Sequence, residues 1–189
     1  MKRSFGAKTL VFTTPVWVVG TFDKNGRPNA ATGAWGGICS SRPPSVAISL
    51  RKTRYTYDNI IERKAFTINV PSAAQIKIAD YCGIVSGKNE DKFSRAGVTA
   101  VKSEIIDAPY IKEFPMVLEC NLTSTTDVGI HTHFIGEILD VKVEENMLGE
   151  NGLPDIFKID PVIYGPEIQG YYSVGKYLGQ AFSIGKEIT

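Results

Sequence analysis

The sequence predicts a mainly β protein, an antiparallel barrel or sandwich carrying a few helices. Three observations point there. Short runs rich in β-branched and aromatic residues recur along the chain, bounded by Gly, Pro, Asn and Asp. Only two stretches carry helical spacing. The order is strand, hairpin, strand, helix, strand, helix and then mostly strands, without the steady βαβα alternation of a doubly wound sheet.

The elements follow in turn. Residues 16–22, Val-Trp-Val-Val-Gly-Thr-Phe, read as a strand, and Asp23-Lys24-Asn25-Gly26 is a hairpin turn because Asn-Gly tolerates positive φ. Residues 28–32 form the return strand. Residues 33–44 have loop chemistry, with Trp35 set among small residues. Residues 45–50 are a third strand with Val46, Ile48 and Leu50 on one face. Thr53 is an N-cap for a helix over 54–64, where Tyr57, Ile60, Ile61 and Lys64 share helical spacing. Residues 65–70 are a strand ended by Pro71, and Ser72 caps a second helix that fades near Cys82-Gly83. Residues 85–92 are a polar surface loop. Strands are expected over 115–125 and 131–143, joined by a turn at 126–129, with a bulge near Gly136 where the alternation breaks. Residues 149–154 are a turn, 155–164 a short strand or extended segment, and 171–182 a tail rich in Gly and Tyr. No repeat or linker divides the chain, so 1–189 is expected to be one domain.

Composition excludes several classes. A chain of 189 residues buries about 70% of its unfolded surface and needs no metal staple. Lys plus Arg is 21 and Asp plus Glu is 20, so no whole-molecule field draws in nucleic acid or an anionic membrane. An anion site must be a local cluster. No run of about 18 apolar residues exists for a membrane span, and the basic start has no signal-peptide core behind it. Three cysteines without a CxxC pair fit free thiols in a reducing cytoplasm.

Chemistry concentrates in a few places. Arg51-Lys52-Thr53-Arg54 follows a strand and opens a helix, so cationic side chains, the Thr53 and Thr56 hydroxyls and free helix N–H groups converge on one spot suited to a phosphate. The 29–37 loop offers close backbone approach and one aromatic, which suits a flat ring. A second loop, 86–93, brings small residues, an amide and two lysines. His131 and His133 share one strand face, but no third ligand accompanies them, so no metal site is expected. Cys39 and Cys82 lack a resolving neighbour and read as packing residues.

Together these residues resemble the flavin reductase-like, FMN-binding split-barrel family, and within it the flavoredoxin branch. The resemblance rests on Thr32, Trp35, Pro43-Pro44, Arg51-Lys52-Thr53 and Asn59-Ile60, with three later segments at 66–70, 86–93 and 129–137, and on the tail from Pro161 to Gly175. It covers about 10–185. Where the family commonly has Gly-Asp-His, this chain has Gly129-Ile130-His131.

The resemblance implies a six-stranded antiparallel Greek-key split barrel, working as a homodimer with non-covalent FMN. It implies that Ser49, Leu50, Arg51, Lys52, Thr53 and Thr56 hold the phosphate and ribityl chain. Thr32, Gly33, Ala34 and Trp35 would face the isoalloxazine, and a loop carrying Cys82, Gly83, Ser86, Gly87 and Lys92 would close over it. His131 would lie near the flavin or a nicotinamide, or else be an ordinary barrel histidine. The function implied is electron movement, as an NAD(P)H-dependent flavin reductase or as a carrier served by a protein electron donor or acceptor. No GxGxxG fingerprint is present, so NAD(P)H as co-substrate would stack directly on the flavin. The alternative is a non-catalytic flavin store or sensor.

Overall fold

The computed structural model describes residues 1–188. The main sheet is built from β2 (Trp17–Phe22), β3 (Pro28–Gly33), β4 (Gly36–Ser41), β5 (Pro44–Arg51), β6 (Ala65–Val70), β9 (Met116–Val128) and β10 (His131–Val143). Their spatial order is β3-β2-β6-β9-β10-β5-β4, with every neighbouring pair antiparallel. The chain jumps from β3 at one edge to β4 at the other, and returns from β5 to β6 through α1 (Tyr55–Arg63). These long crossings are the Greek-key connections of a split barrel, the fold class expected. The sheet carries seven strands rather than six.

Strand alternation explains the core. On β6, Phe66, Ile68 and Val70 face the barrel interior with Val19, Ile48 and Phe134. The opposite face of β6 is also buried, and its polar groups are paired. Thr67 Oγ1 donates to the Pro109 carbonyl at 2.6 Å, Asn69 Nδ2 to the Val18 carbonyl at 2.8 Å, and Asn69 Oδ1 accepts from the Ile111 N–H at 2.7 Å. Pro109 and Ile111 bound β8 (Pro109–Ile111), which pairs with β7 (Ala100–Lys102). A second apolar cluster, including Val18, Ala30, Ala79, Cys82 and Phe93, packs α2 (Ile76–Ile84) and α3 (Lys92–Ala96) against β2 and β3.

Several boundaries differ from expectation. The stretch read as loop over 33–44 contains β4, whose Gly-Gly-Ile-Cys-Ser-Ser sequence carries almost no strand signal. Gly36 is required there, because a Cβ would lie 2.9 Å from Trp17 Cε3 and 2.8 Å from the Ala47 carbonyl. The N-cap of α1 is Arg54, not Thr53, with no side-chain cap, and Lys64 ends the helix in the left-handed region at φ 55. Helix α2 runs on to Ile84, one residue past Gly83. Ser72 and Gln75 form the capping box that starts the preceding turn. Asp91 caps α3 through the Ser94 N–H at 3.1 Å, where a loop was expected to continue. Between β9 and β10 only Gly129 and Ile130 remain as the turn. The expected bulge is present as a register shift between Ile135 and Gly136, with Gly136 hard against the Phe66 ring. Residues 155–164 begin with a helix, α4 (Ile156–Ile159), because Asp155 caps it from the Phe157 N–H at 2.8 Å. The chain then forms β11 (Ile163–Gly165) and β12 (Gly170–Tyr172), which join β1 (Thr14–Pro15) in a separate three-stranded sheet. Among the described residues, no helix is long and apolar enough to cross a membrane.

Candidate functional site

A cleft of about 500 Å³ opens where the barrel meets α2 and the β11–β12 hairpin. One wall is the end of β3 and the turn after it, with Thr32, Gly33, Ala34 and Trp35. A second is the end of β5 and the entry to α1, with Ser49, Leu50, Arg51, Thr53 and Thr56. The third is the end of α2 and the loop beyond, with Cys82, Gly83, Ser86 and Gly87. Lys92 reaches it from α3 and His131 from the start of β10. The residues that the resemblance assigns to the site therefore meet in one cavity, except Lys52. That side chain lies outside the lining and pairs with Asp127 Oδ2 at 2.6 Å.

Sequence reasoning also missed lining residues. Tyr55 follows the basic cluster directly but was given no role, while Asp80, Tyr164 and Tyr171 come from elements whose approach depends on tertiary packing. Asn29 is 3% exposed and forms part of the cleft wall. Its Nδ2 donates to Thr56 Oγ1 at 2.9 Å, while its Oδ1 is buried without a partner. Gly87 passes directly over that oxygen, and a Cβ on Gly87 would collide with it and lie 3.1 Å from Tyr55 Cδ1. Tyr55 is itself anchored, its hydroxyl donating to Asp23 Oδ2 at 2.9 Å.

The charges in the cleft are uneven. Arg51 and Arg54 are exposed and form no ion pair among the described residues, so one end of the cavity is cationic. Lys92 is 4% exposed, and its Nζ donates to the carbonyls of Ala30 and Cys82, both at 2.7 Å. Burial pulls this amine down to about 8, Cys82 acts against that and the nearby Arg54 adds to the pull. It is thus mostly a cation at neutral pH, in a place where a cation is costly without anionic company. Burial and the neighbouring Arg51 both lower the His131 imidazole, which favours its neutral form. Arg51 is its cross-strand partner. His133 sits further along the strand, its Nδ1 2.8 Å from Ser49 Oγ. Burial pushes the Cys82 thiol up to about 11, so it is no thiolate nucleophile. No group of three His, Cys, Asp or Glu side chains arranged to hold a metal ion occurs among the described residues.

The cleft thus joins a cationic end to a wall that carries glycine, alanine and tryptophan, with the Lys92 amine buried inside. Fold and site together define a split-barrel protein with a cationic cleft. The chain belongs to the flavin reductase like domain family, whose model matches residues 9–168. Among solved structures it is similar to the flavoredoxin of Desulfovibrio vulgaris (Miyazaki F), at 55% identity and a TM-score of 0.94, over 98% of this chain and 100% of that one. It is also similar to the flavoredoxin from Methanosarcina acetivorans, at 32% identity and a TM-score of 0.93, over the whole of both chains. An uncharacterised protein of Archaeoglobus fulgidus is 33% identical over 130 residues, 69% of this chain and 72% of its own length.

Proposed function

We propose that this chain is an FMN-binding redox protein of the flavoredoxin type, moving electrons between a reductant and a protein partner. The observation that carries this is the pairing of the cationic end at Arg51, Thr53 and Arg54 with the buried ammonium of Lys92 in one cleft. A phosphate bears about −1.5 to −2 charge at neutral pH and suits the first. A flavin gains negative charge on reduction, and the Lys92 cation favours that. The donor set fits: Arg51, Thr53 and Arg54 would hold the phosphate, Ser49 and Thr56 the ribityl hydroxyls, and Thr32 to Trp35 with Gly83, Ser86 and Gly87 the ring. Bound FMN would supply reversible electron acceptance, and the protein orientation and field. A single cationic end favours FMN over FAD, whose pyrophosphate would need a second. Lys52 can join the cradle only by leaving Asp127, so its share is smaller than that of Arg51.

NAD(P)H as co-substrate is the second arm of the proposal, favoured by a neutral His131 at the cleft wall. The three free cysteines fit a cytoplasmic setting. Exposed apolar side chains of the tail fit a homodimer. Anaerobic mixing of the FMN-loaded protein with NADH and with NADPH, followed at the flavin absorbance, separates the arms. Bleaching within seconds marks a reductase. Bleaching only with a reduced protein donor marks the carrier. No response to any reductant would leave a flavin store or sensor.

A further inference from the structure

The β11–β12 hairpin lies apart from the main sheet, where β1 pairs with it through Thr14↔Tyr164 and Pro15↔Ile163 and Thr9 Oγ1 donates to Glu167 Oε1 in its turn at 2.6 Å. Its other strand, β12, is a free edge. Within the hairpin, Tyr164 and Tyr171 are register partners, so their side chains share one face. That face is the one turned to the cleft, for both tyrosines line it. Their ring centroids are 5.7 Å apart at 49°. Tyr171 then reaches across to α2, its hydroxyl donating to Asp80 Oδ1 at 2.7 Å. Asp80 forms no ion pair among the described residues, so this carboxylate has the tyrosine as its side-chain partner.

We propose that Tyr171 and Asp80 form a latch that ties the hairpin to α2 and sets how long a ligand stays in the cleft. Tyr171 is a positioning residue: it acts by holding the Tyr164 ring and the hairpin as a standing wall. With the hydrogen bond broken, the wall keeps the β1 pairing, the Thr9 Oγ1 bond to Glu167 Oε1 at 2.6 Å and the packing of Val162 and Tyr164, but loses its link to α2. The carboxylate acceptor makes the bond stronger than a neutral one, and partial exposure weakens it again. The ligand in this inference is the FMN of the proposal above.

The test uses the full chain and four variants: Tyr171→Phe, Asp80→Ala, Asp80→Asn and the Tyr171→Phe/Asp80→Ala double. FMN release from each loaded protein is followed by the rise in flavin fluorescence, and deuterium uptake over 163–172 is measured on the flavin-free proteins. Tyr171→Phe and Asp80→Ala should each release FMN roughly three- to tenfold faster. Both should take up deuterium over the hairpin faster by a similar factor. The double variant should be no faster than either single one, because both remove the same bond. Asp80→Asn keeps a neutral acceptor oxygen and should fall between the parent and Asp80→Ala. Release and exchange at the parent rate in Tyr171→Phe and Asp80→Ala, or additive effects in the double variant, would overturn the latch. If the parent takes up no FMN, the flavin reading fails by itself, and the exchange data still decide whether the latch holds the hairpin.

Discussion

At the residue scale, two buried charges have opposite consequences. Asp23 is 1% exposed, and its carboxylate accepts from the backbone N–H groups of Asn25 and Arg27, the Arg27 Nε and the Tyr55 hydroxyl. Burial raises its pKa, but these hydrogen bonds outweigh it and hold the carboxyl at about 2, below the ordinary 3.8. Because the folded value is the lower one, its stabilisation is full above 3.8 and is lost as pH falls through about 2. It amounts to about 2 kcal/mol. Asp23→Asn should therefore lower stability at pH 7 by about that amount, and the gap from the parent should close between pH 4 and 2 in urea melts. Lys92 acts on the ligand instead. Lys92→Met should make the bound flavin harder to reduce, moving its midpoint negative by tens of millivolts. Since this amine sits at about 8, the difference should shrink as pH rises through that value. A potential that does not move, or a gap that persists at pH 10, would show that Lys92 does not sense the ring.

At the element scale, β4 illustrates what the sequence could and could not convey. Gly36 lets the Trp17 ring lie flat against the strand, and Gly36→Ala forces the ring or the Ala47 carbonyl aside. Overpacking of this kind costs about 1–3 kcal/mol. The melting temperature should fall by roughly 2–10 °C in calorimetry. The strand escaped notice because close packing there needs missing side chains, and strand signals are carried by side chains. Asp91 and Asp155 escape for another reason: each starts a short helix by a capping bond, the first inside a polar loop and the second inside an apolar run that reads as extended. In contrast, β2, β5 and β6 were legible to within a residue or two from their Val, Ile, Thr and Phe content and bounding turn residues, and β3 from the Asn25-Gly26 hairpin turn before it. Most of the cleft was legible as well, since its lining falls in short contiguous motifs. What was hidden depends on partners distant in sequence. Lys52 stands in the right motif but is held by Asp127, and Asp80 and Tyr171 meet across 91 residues.

At the scale of the whole molecule, large apolar side chains stand exposed in the tail and at the β9–β10 turn. Tyr172, Tyr177, Leu178 and Phe182 are exposed near the C-terminus, Phe182 by 98%, and Val128 and Ile130 stand out from the β9–β10 turn. In the homodimer proposed above, these side chains would be covered by the second copy. Light scattering at micromolar concentration should give twice the chain mass, and Phe182→Ser with Leu178→Ser should shift it toward the monomer. The fold, the cationic end of the cleft and the buried ammonium converge on a single claim, that the cleft holds a flavin by its phosphate. The direct measurement is calorimetric titration of the flavin-free protein with FMN and with riboflavin, repeated on Arg51→Ala. One FMN should bind per chain, riboflavin more weakly, and Arg51→Ala should weaken FMN about tenfold or more while leaving riboflavin nearly unchanged. Equal affinity for FMN and riboflavin, or an Arg51→Ala variant that loses both alike, would contradict the account.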